Sequence, residues 1–157
     1  MAPNELKPGE VKSGESAEVD FDDLPSLVGY HLRRAQVAVF NDFVGTMGEV
    51  QITPGQYGVM TLIGTNPGLS QSALARAVGI ERSTMVAIIG GLESRNLVER
   101  NPSPVDKRSY ALVLTGDGNK LLAKLKEMVR AHEQKMLSGL NDAERDQLIN
   151  LLSRLTD

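Results

Sequence analysis

From Leu24 onward, apolar residues return at helical intervals broken by turn-forming clusters. Leu24, Val28, Leu32, Ala35, Val39 and Phe43 recur every three or four residues, which predicts a long amphipathic helix to about Met47. Thr53-Pro54-Gly55-Gln56 reads as a helix start, with Thr as N-cap, Pro in the first turn and Gln three residues after the cap. That second helix should end near Gly64, before Asn66-Pro67-Gly68. Ser70 caps a short helix carrying Leu74, Ala75 and Val78; Gly79 breaks it, and another helix follows from about Glu81 to Arg95 with Met85, Ile88, Ile89 and Leu92 on one face. Two short helices around a tight Gly-containing turn form a helix-turn-helix pattern. Asn96 suits a left-handed cap. Leu97-Val98-Glu99-Arg100 and Tyr110-Ala111-Leu112-Val113-Leu114 then read as two strands around a Pro-rich basic loop, a β-hairpin wing. Thr115 opens a further long helix with Leu121, Leu125, Met128, His132, Met136 and Leu140 as its stripe. Asn141-Asp142-Ala143-Glu144 opens a last one that should bury Leu148, Leu151, Leu152 and Leu155. The fold class expected is mainly α with a small β-hairpin wing, a winged helix-turn-helix.

Charge changes this picture by its distribution. The chain sums to −3 at pH 7, which taken alone argues against nucleic acid. Residues 1–23, however, hold seven acids against two lysines, whereas residues 70–114 hold six basic residues against four acidic ones. A phosphate backbone responds to the local field. Residues 1–22 have almost nothing to bury and read as a disordered acidic arm, leaving 23–157 as a single domain.

In a helix-turn-helix the first turns of the second helix meet base edges in the major groove. Here those positions are Arg82, Ser83 and Thr84, with Val86 and Ala87 one face round, while Ser70 and Gln71 at the start of the preceding helix can meet the DNA backbone. Arg82 can donate two hydrogen bonds to guanine or bind a phosphate, and Val86 and Ala87 suit a thymine methyl. In the wing, Lys107 and Arg108 sit near the tip, where an Arg can enter the narrow minor groove, and Asp106 can orient the Arg108 guanidinium through a paired hydrogen bond. The alternative is that all of these are solvated surface positions.

The ordered motifs together resemble the MarR family of bacterial transcriptional regulators. The resemblance spans about Leu24 to Leu155 and is strongest from Leu74 to Thr84 and from Leu92 to Arg100. Asp106-Lys107-Arg108 looks like the family's Asp-x-Arg in the wing, and Leu114-Thr115-Gly116-Asp117-Gly118 like its Leu-Thr-x-x-Gly junction. The resemblance implies a homodimer on a pseudopalindromic double-stranded operator, with 24–48 and 115–157 as dimerisation helices and 53–114 as the DNA-binding module. It also implies a repressor released by a small anionic effector, an aromatic carboxylate or an acyl-CoA. Asn96 stands where the family usually has Gly, and Val86, Ala87 and Gly90 where it is more often polar. Fewer hydrogen bonds to bases are therefore expected.

For the effector, Leu27, Tyr30, His31, Arg34 and Ala38 form a second face of the first helix, with Arg33 beside it. His31, Arg33 and Arg34 facing a partly apolar cleft, with Tyr57 on the next helix, would suit a carboxylate or the phosphates of a thioester. Alternatively the arginines pair with acids across a dimer and His31 is a core residue. His132, alone on an apolar stripe, reads as interface packing.

The sequence has no Cys and two His, which excludes zinc fingers and thiol switches and argues against a transition-metal site. There is no nucleotide-binding Gly-rich loop or Ser-His-Asp constellation, so neither an enzyme nor a cofactor is expected. No secretory signal pattern or membrane-length apolar run is present, and a cytoplasmic location is expected. The competing reading is a winged-helix module for protein contacts, without sequence-specific DNA binding.

Overall fold

A computed structural model describes residues 19–102 and 110–156. Its elements follow one another as a 3-10 turn (Leu24–Ser26), α1 (Val28–Thr46), α2 (Pro54–Thr65), α3 (Gln71–Val78), α4 (Arg82–Ser94), β1 (Val98–Pro102), β2 (Tyr110–Leu114), α5 (Gly116–Met136) and α6 (Asp142–Ser153). The chain divides into two units at Ala35–Gln36, inside α1.

In the N-terminal unit the expected helix start at Leu24 is corrected. Pro25 sits at the start of a 3-10 turn over Leu24–Ser26, where its missing N–H costs nothing, Leu27 is extended, and α1 begins only at Val28. The expected acidic arm lies outside the described residues up to residue 18. Its last residues form a turn, in which Asp22 N–H donates to Asp20 Oδ1 (2.9 Å) and Leu24 N–H to Phe21 O (3.1 Å).

In the second unit the local signals act where the sequence places them. Thr53 and Gln56 close a reciprocal capping box on α2, and Asn141 and Glu144 do the same on α6. The Ser70 hydroxyl accepts from Ala73 N–H (3.2 Å). Gly79, at φ +72°, lets Ile80 N–H reach Ala75 O (3.1 Å), so the chain turns sharply into α4. Asn96 adopts φ +55° beyond the end of α4, as its amide side chain permits. β1 and β2 pair antiparallel from Val98↔Leu114 to Pro102↔Tyr110. The free edge of β2 is covered by the α2–α3 loop: Leu112 N–H donates to Leu69 O (3.0 Å) and Gly68 N–H to Leu112 O (2.9 Å).

The core lies between these elements. Val59, Met60 and Ile63 of α2 meet Leu74 of α3, Met85, Ile89 and Leu92 of α4, Leu112 of β2 and Leu125 of α5, all fully buried. Burying such side chains contributes about 1.5–3 kcal/mol each, which holds α3 and α4 against α2 and leaves the outer face of α4 in solvent.

Two expected stripes are not buried among the described residues of the single chain. Of the α1 stripe only Phe43 is buried, and Val39 is 40% exposed. No residue of α6 is buried, with Leu151 47% exposed, and Leu155, beyond the helix end at Ser153, is 63% exposed. The periodicity gave each helix an apolar face, but the described residues do not cover it. On α5 the stripe is carried by Leu122, Leu125 and His132, and Leu140 lies beyond the helix end at Met136.

His132 is 3% exposed and is held within the chain, which replaces its expected place in a subunit interface. Its Nδ1–H donates to Asp42 Oδ2 of α1 (2.8 Å), and its ring meets Phe43 edge-on at 5.5 Å. Lys135 donates to the other Asp42 oxygen. Hydrogen bonds from Lys135 and His132 hold the Asp42 carboxyl below its usual pKa. A carboxyl depressed in the folded state stabilises above its unfolded value, about 3.9, and that contribution is lost as pH falls through the folded value. Urea unfolding of Asp42→Asn should therefore show lower stability than wild type at pH 7 and a shallower decline from about pH 4 downward; parallel pH profiles would refute the assignment.

Candidate nucleic-acid interface and effector cleft

The amphipathic split of α4 produces the first site. Met85, Ile89 and Leu92 anchor its inner face, and Arg82, Ser83, Thr84, Val86 and Ala87 all lie exposed on its outer side. Val86 is 52% exposed in the interior of α4. Among the described residues no ion pair engages Arg82, so its guanidinium is available to a ligand. Ser70 and Gln71 are half-buried at the start of α3, and the Ser70 hydroxyl already accepts the cap hydrogen bond, leaving its own proton to donate outward.

A shallow cleft of about 380 Å³ joins α3 to α4, lined by Ser72, Arg76, Gly79, Ile80, Glu81 and Arg82, among others. Arg76 was not singled out from the sequence. Its signal was a basic side chain on α3, which the Gly79 turn folds onto the same cleft as Arg82. The wing residues Asp106, Lys107 and Arg108 lie outside the described residues. The base of the wing is braced, since Arg100 Nε of β1 pairs with Glu93 Oε1 of α4 at 2.9 Å.

The residues expected to hold an effector are differently engaged. In the N-terminal unit, His31 Nε2–H donates to Pro25 O (2.8 Å), fastening the 3-10 turn to α1. Arg34 lies over the Tyr30 ring at 5.5 Å and donates to its hydroxyl (3.3 Å). Arg33 is also engaged. In the second unit, Tyr57 lines a cleft of about 470 Å³ with Lys126, Val129, Arg130, Glu133 and Gln134 of α5 and Arg145 of α6. Three cations and one carboxylate surround that space. Arg130 is partly committed to Glu127 (2.6 Å). The Arg145 Nε–H is buried without a hydrogen-bond partner among the described residues. A buried donor left in that state costs about 1–3 kcal/mol. Sequence reading missed Lys126, Arg130 and Arg145. Lys126 and Arg130 lie four residues apart on α5, off the apolar stripe, but only the α5–α6 turn brings Arg145 to them.

Among the described residues no group of His, Asp or Glu could hold a metal ion, and no helix is long and apolar enough to cross a membrane.

Residues 50–109 match the sequence model of the MarR family. Over 148 residues the chain is 40% identical to a protein of Thauera aromatica named "Putative transcriptional regulatory protein for hcr operon", covering 94% of this chain and 89% of that one. The transcriptional repressor CouR bound to a 23-mer DNA duplex superposes with a TM-score of 0.85 at 39% identity, over 90% of this chain and 100% of CouR. CouR bound to p-coumaroyl-CoA gives a TM-score of 0.82 at 37% identity, over 88% and 98%. With the helix-turn-helix, the paired wing strands and the Leu-Thr-x-x-Gly junction in place, the chain belongs to the MarR family of transcriptional regulators.

Proposed function

We propose that this chain is a homodimeric, sequence-specific DNA-binding repressor of the cytoplasm, released from its operator by a small anionic effector, with no catalytic step. The observation that carries the reading is α4, pinned along one side by three fully buried residues and presenting Arg82, Ser83, Thr84, Val86 and Ala87 along the other. A helix of that width enters the major groove, and these side chains match its donors, acceptors and thymine methyl groups. Ser70 and Gln71 serve the phosphate backbone. The wing, with Lys107 and with Arg108 oriented by Asp106, serves the adjacent minor groove. CouR in complex with a duplex supports this assignment.

Dimerisation is supported by helices that have an apolar side which nothing among the described residues covers. Phe40 and Val44 of α1 and Leu148, Ile149, Leu151 and Leu152 of α6 are all more than a third exposed. A second copy supplies an identical apolar surface, and two-fold symmetry then places two α4 helices one helical turn of DNA apart.

The effector reading draws on the Tyr57, Lys126, Arg130 and Arg145 cleft, whose cations and orphan Arg145 donor suit a carboxylate or a phosphate. CouR bound to p-coumaroyl-CoA supports the acyl-CoA version. His31, Arg33 and Arg34 of α1 are a separate candidate contact for an anionic effector.

The test is selection of duplexes from a random pool by the purified protein, then titration of the enriched duplex at two salt concentrations with wild type and Arg108→Ala. An enriched inverted repeat is expected, with affinity falling steeply in salt. Arg108→Ala should bind more weakly, with a salt slope shallower by about 1 for each phosphate that is no longer neutralised. Absence of any enriched sequence, together with an inert Arg108→Ala, would sink the reading and favour a winged helix used for protein contacts.

A further inference from the structure

Apolar packing fixes the depth of α4 in the core but is poor at fixing its rotation and its position along its own axis, because dispersion contacts are non-directional. Besides the Arg100–Glu93 ion pair, the C-terminal end of α4 carries a second directional tie. Arg95, the C-cap of α4, donates from Nη1 to Gln51 O (2.7 Å) and from Nη2 to Val50 O (2.8 Å). Those carbonyls belong to the turn that follows α1, where Gln51 takes φ +50°, and where Val50 and Gln51 N–H both close back on Met47 O (3.1 and 2.9 Å). That turn leads directly into buried Ile52 and the Thr53 capping box of α2. A planar guanidinium spans two neighbouring acceptors in a fixed orientation, which an ammonium cannot do.

We infer that Arg95 is a positioning residue that locks the base-reading helix to the end of α1 and thereby sets the half-site spacing the dimer accepts. This rests on the proposed roles of α4 in the major groove and α1 in dimerisation. The other end of the link is firm. Asp42 on α1 is held by His132 and Lys135 of α5, so the turn moves with the dimerisation helices. A rotation of α4 of a few degrees about this strap would displace its exposed N-terminal turn, whereas Arg95 itself lies at the far end of the helix from Arg82 and is not a base-contacting residue.

The experiment is the random-duplex selection repeated with Arg95→Met and Arg95→Lys, reading the half-site sequence and the centre-to-centre spacing separately, with circular dichroism to confirm folding. For Arg95→Met, the same half-site should be enriched over a spread of spacings one or two base pairs wide. Affinity for the wild-type-spaced duplex should fall about tenfold, as expected for removing two charge-assisted hydrogen bonds. Arg95→Lys, which can make one bond, should lie between. A single sharp spacing with wild-type affinity in Arg95→Met overturns the proposal. If Arg95→Met does not fold, Arg95→Lys decides: wild-type spacing selectivity there shows that charge suffices and overturns the two-acceptor lock. If the wild type itself enriches no repeat, the DNA-reading assignment fails, and the role of Arg95 with it.

Discussion

Gly118→Ala should destabilise the protein by about 3 kcal/mol, at the upper end of what an inserted methyl costs in a packed site. Gly118 sits in the first turn of α5, where its N–H donates to the Thr115 cap hydroxyl at 2.9 Å. A Cβ built there would collide with Leu97 O and lie 3.0 Å from the Leu97 carbonyl carbon. The obstacle is backbone, and it is held from three sides. Thr115 N–H donates to Leu97 O (3.1 Å) and Leu97 N–H to Leu92 O (3.0 Å), while the Thr115 hydroxyl donates to Asn96 O (2.6 Å). Neither α5 nor the end of α4 can yield without breaking this junction. Two other glycines calibrate the effect. At Gly64 the added Cβ meets only the ends of the Leu122 and Leu114 side chains, at 2.9 and 3.0 Å, which can rotate away, so Gly64→Ala should cost about 1 kcal/mol. At Gly116, two residues from Gly118 in the same helical turn, nothing lies within 4 Å, and alanine there should be neutral or stabilising by about 0.5 kcal/mol. Urea unfolding of the three variants at one fixed protein concentration gives the ranking, since dimerisation makes apparent stability depend on concentration. Equal midpoints for Gly118→Ala and Gly116→Ala would show that the junction is not held by close approach.

The same junction shows what the chain discloses in its sequence. Gly118 was legible only through the resemblance to the family's Leu-Thr-x-x-Gly junction, whereas Thr115 and Asn96 were legible because caps and left-handed residues act within a few positions of themselves. The capping boxes at Thr53 and Asn141 and the αL turn at Gly79 were legible for the same reason. Pro25 carried a local signal as well, but the apolar spacing of Leu24 and Val28 continues straight through it and concealed the 3-10 turn. Long-range pairing left no such trace. Nothing in the spacing of α5 says that His132 has its carboxylate at Asp42, 90 residues away, and a lone His on a leucine stripe fits a subunit interface equally well. The cleft lined by Tyr57 was half visible through that residue, but Lys126, Arg130 and Arg145 come together through packing of α5 and α6 and share no motif. The leucines of α6 show a related limit. Periodicity specifies that a helix has an apolar face, while what covers that face depends on molecules the sequence pattern does not describe.

Arg82→Ala should lower affinity for the selected operator by about 5- to 150-fold, the equivalent of ~1–3 kcal/mol for one bidentate base contact. The manner of the loss distinguishes two roles for a side chain that is exposed at the first residue of α4 and has no ion-pair partner among the described residues. If Arg82 reads guanine, the variant loses discrimination at one position in each half-site and binds a duplex mutated there as well as the original, with little change in salt dependence. If it binds phosphate, all duplexes weaken together and the salt slope becomes shallower by about 1 in each half-site. The base-reading outcome is favoured by the rest of the face. Val86 and Ala87 can make only methyl contacts and Ser83 and Thr84 accept several bases, so α4 offers a single side chain able to specify guanine through two hydrogen bonds. With so few polar readers, removal of the Arg82 side chain should leave a protein that still finds DNA through its charge and its wing, yet no longer ranks guanine above the other bases at that position. Wild-type discrimination retained by Arg82→Ala would move the reading to Arg76, the other arginine lining the α3–α4 cleft.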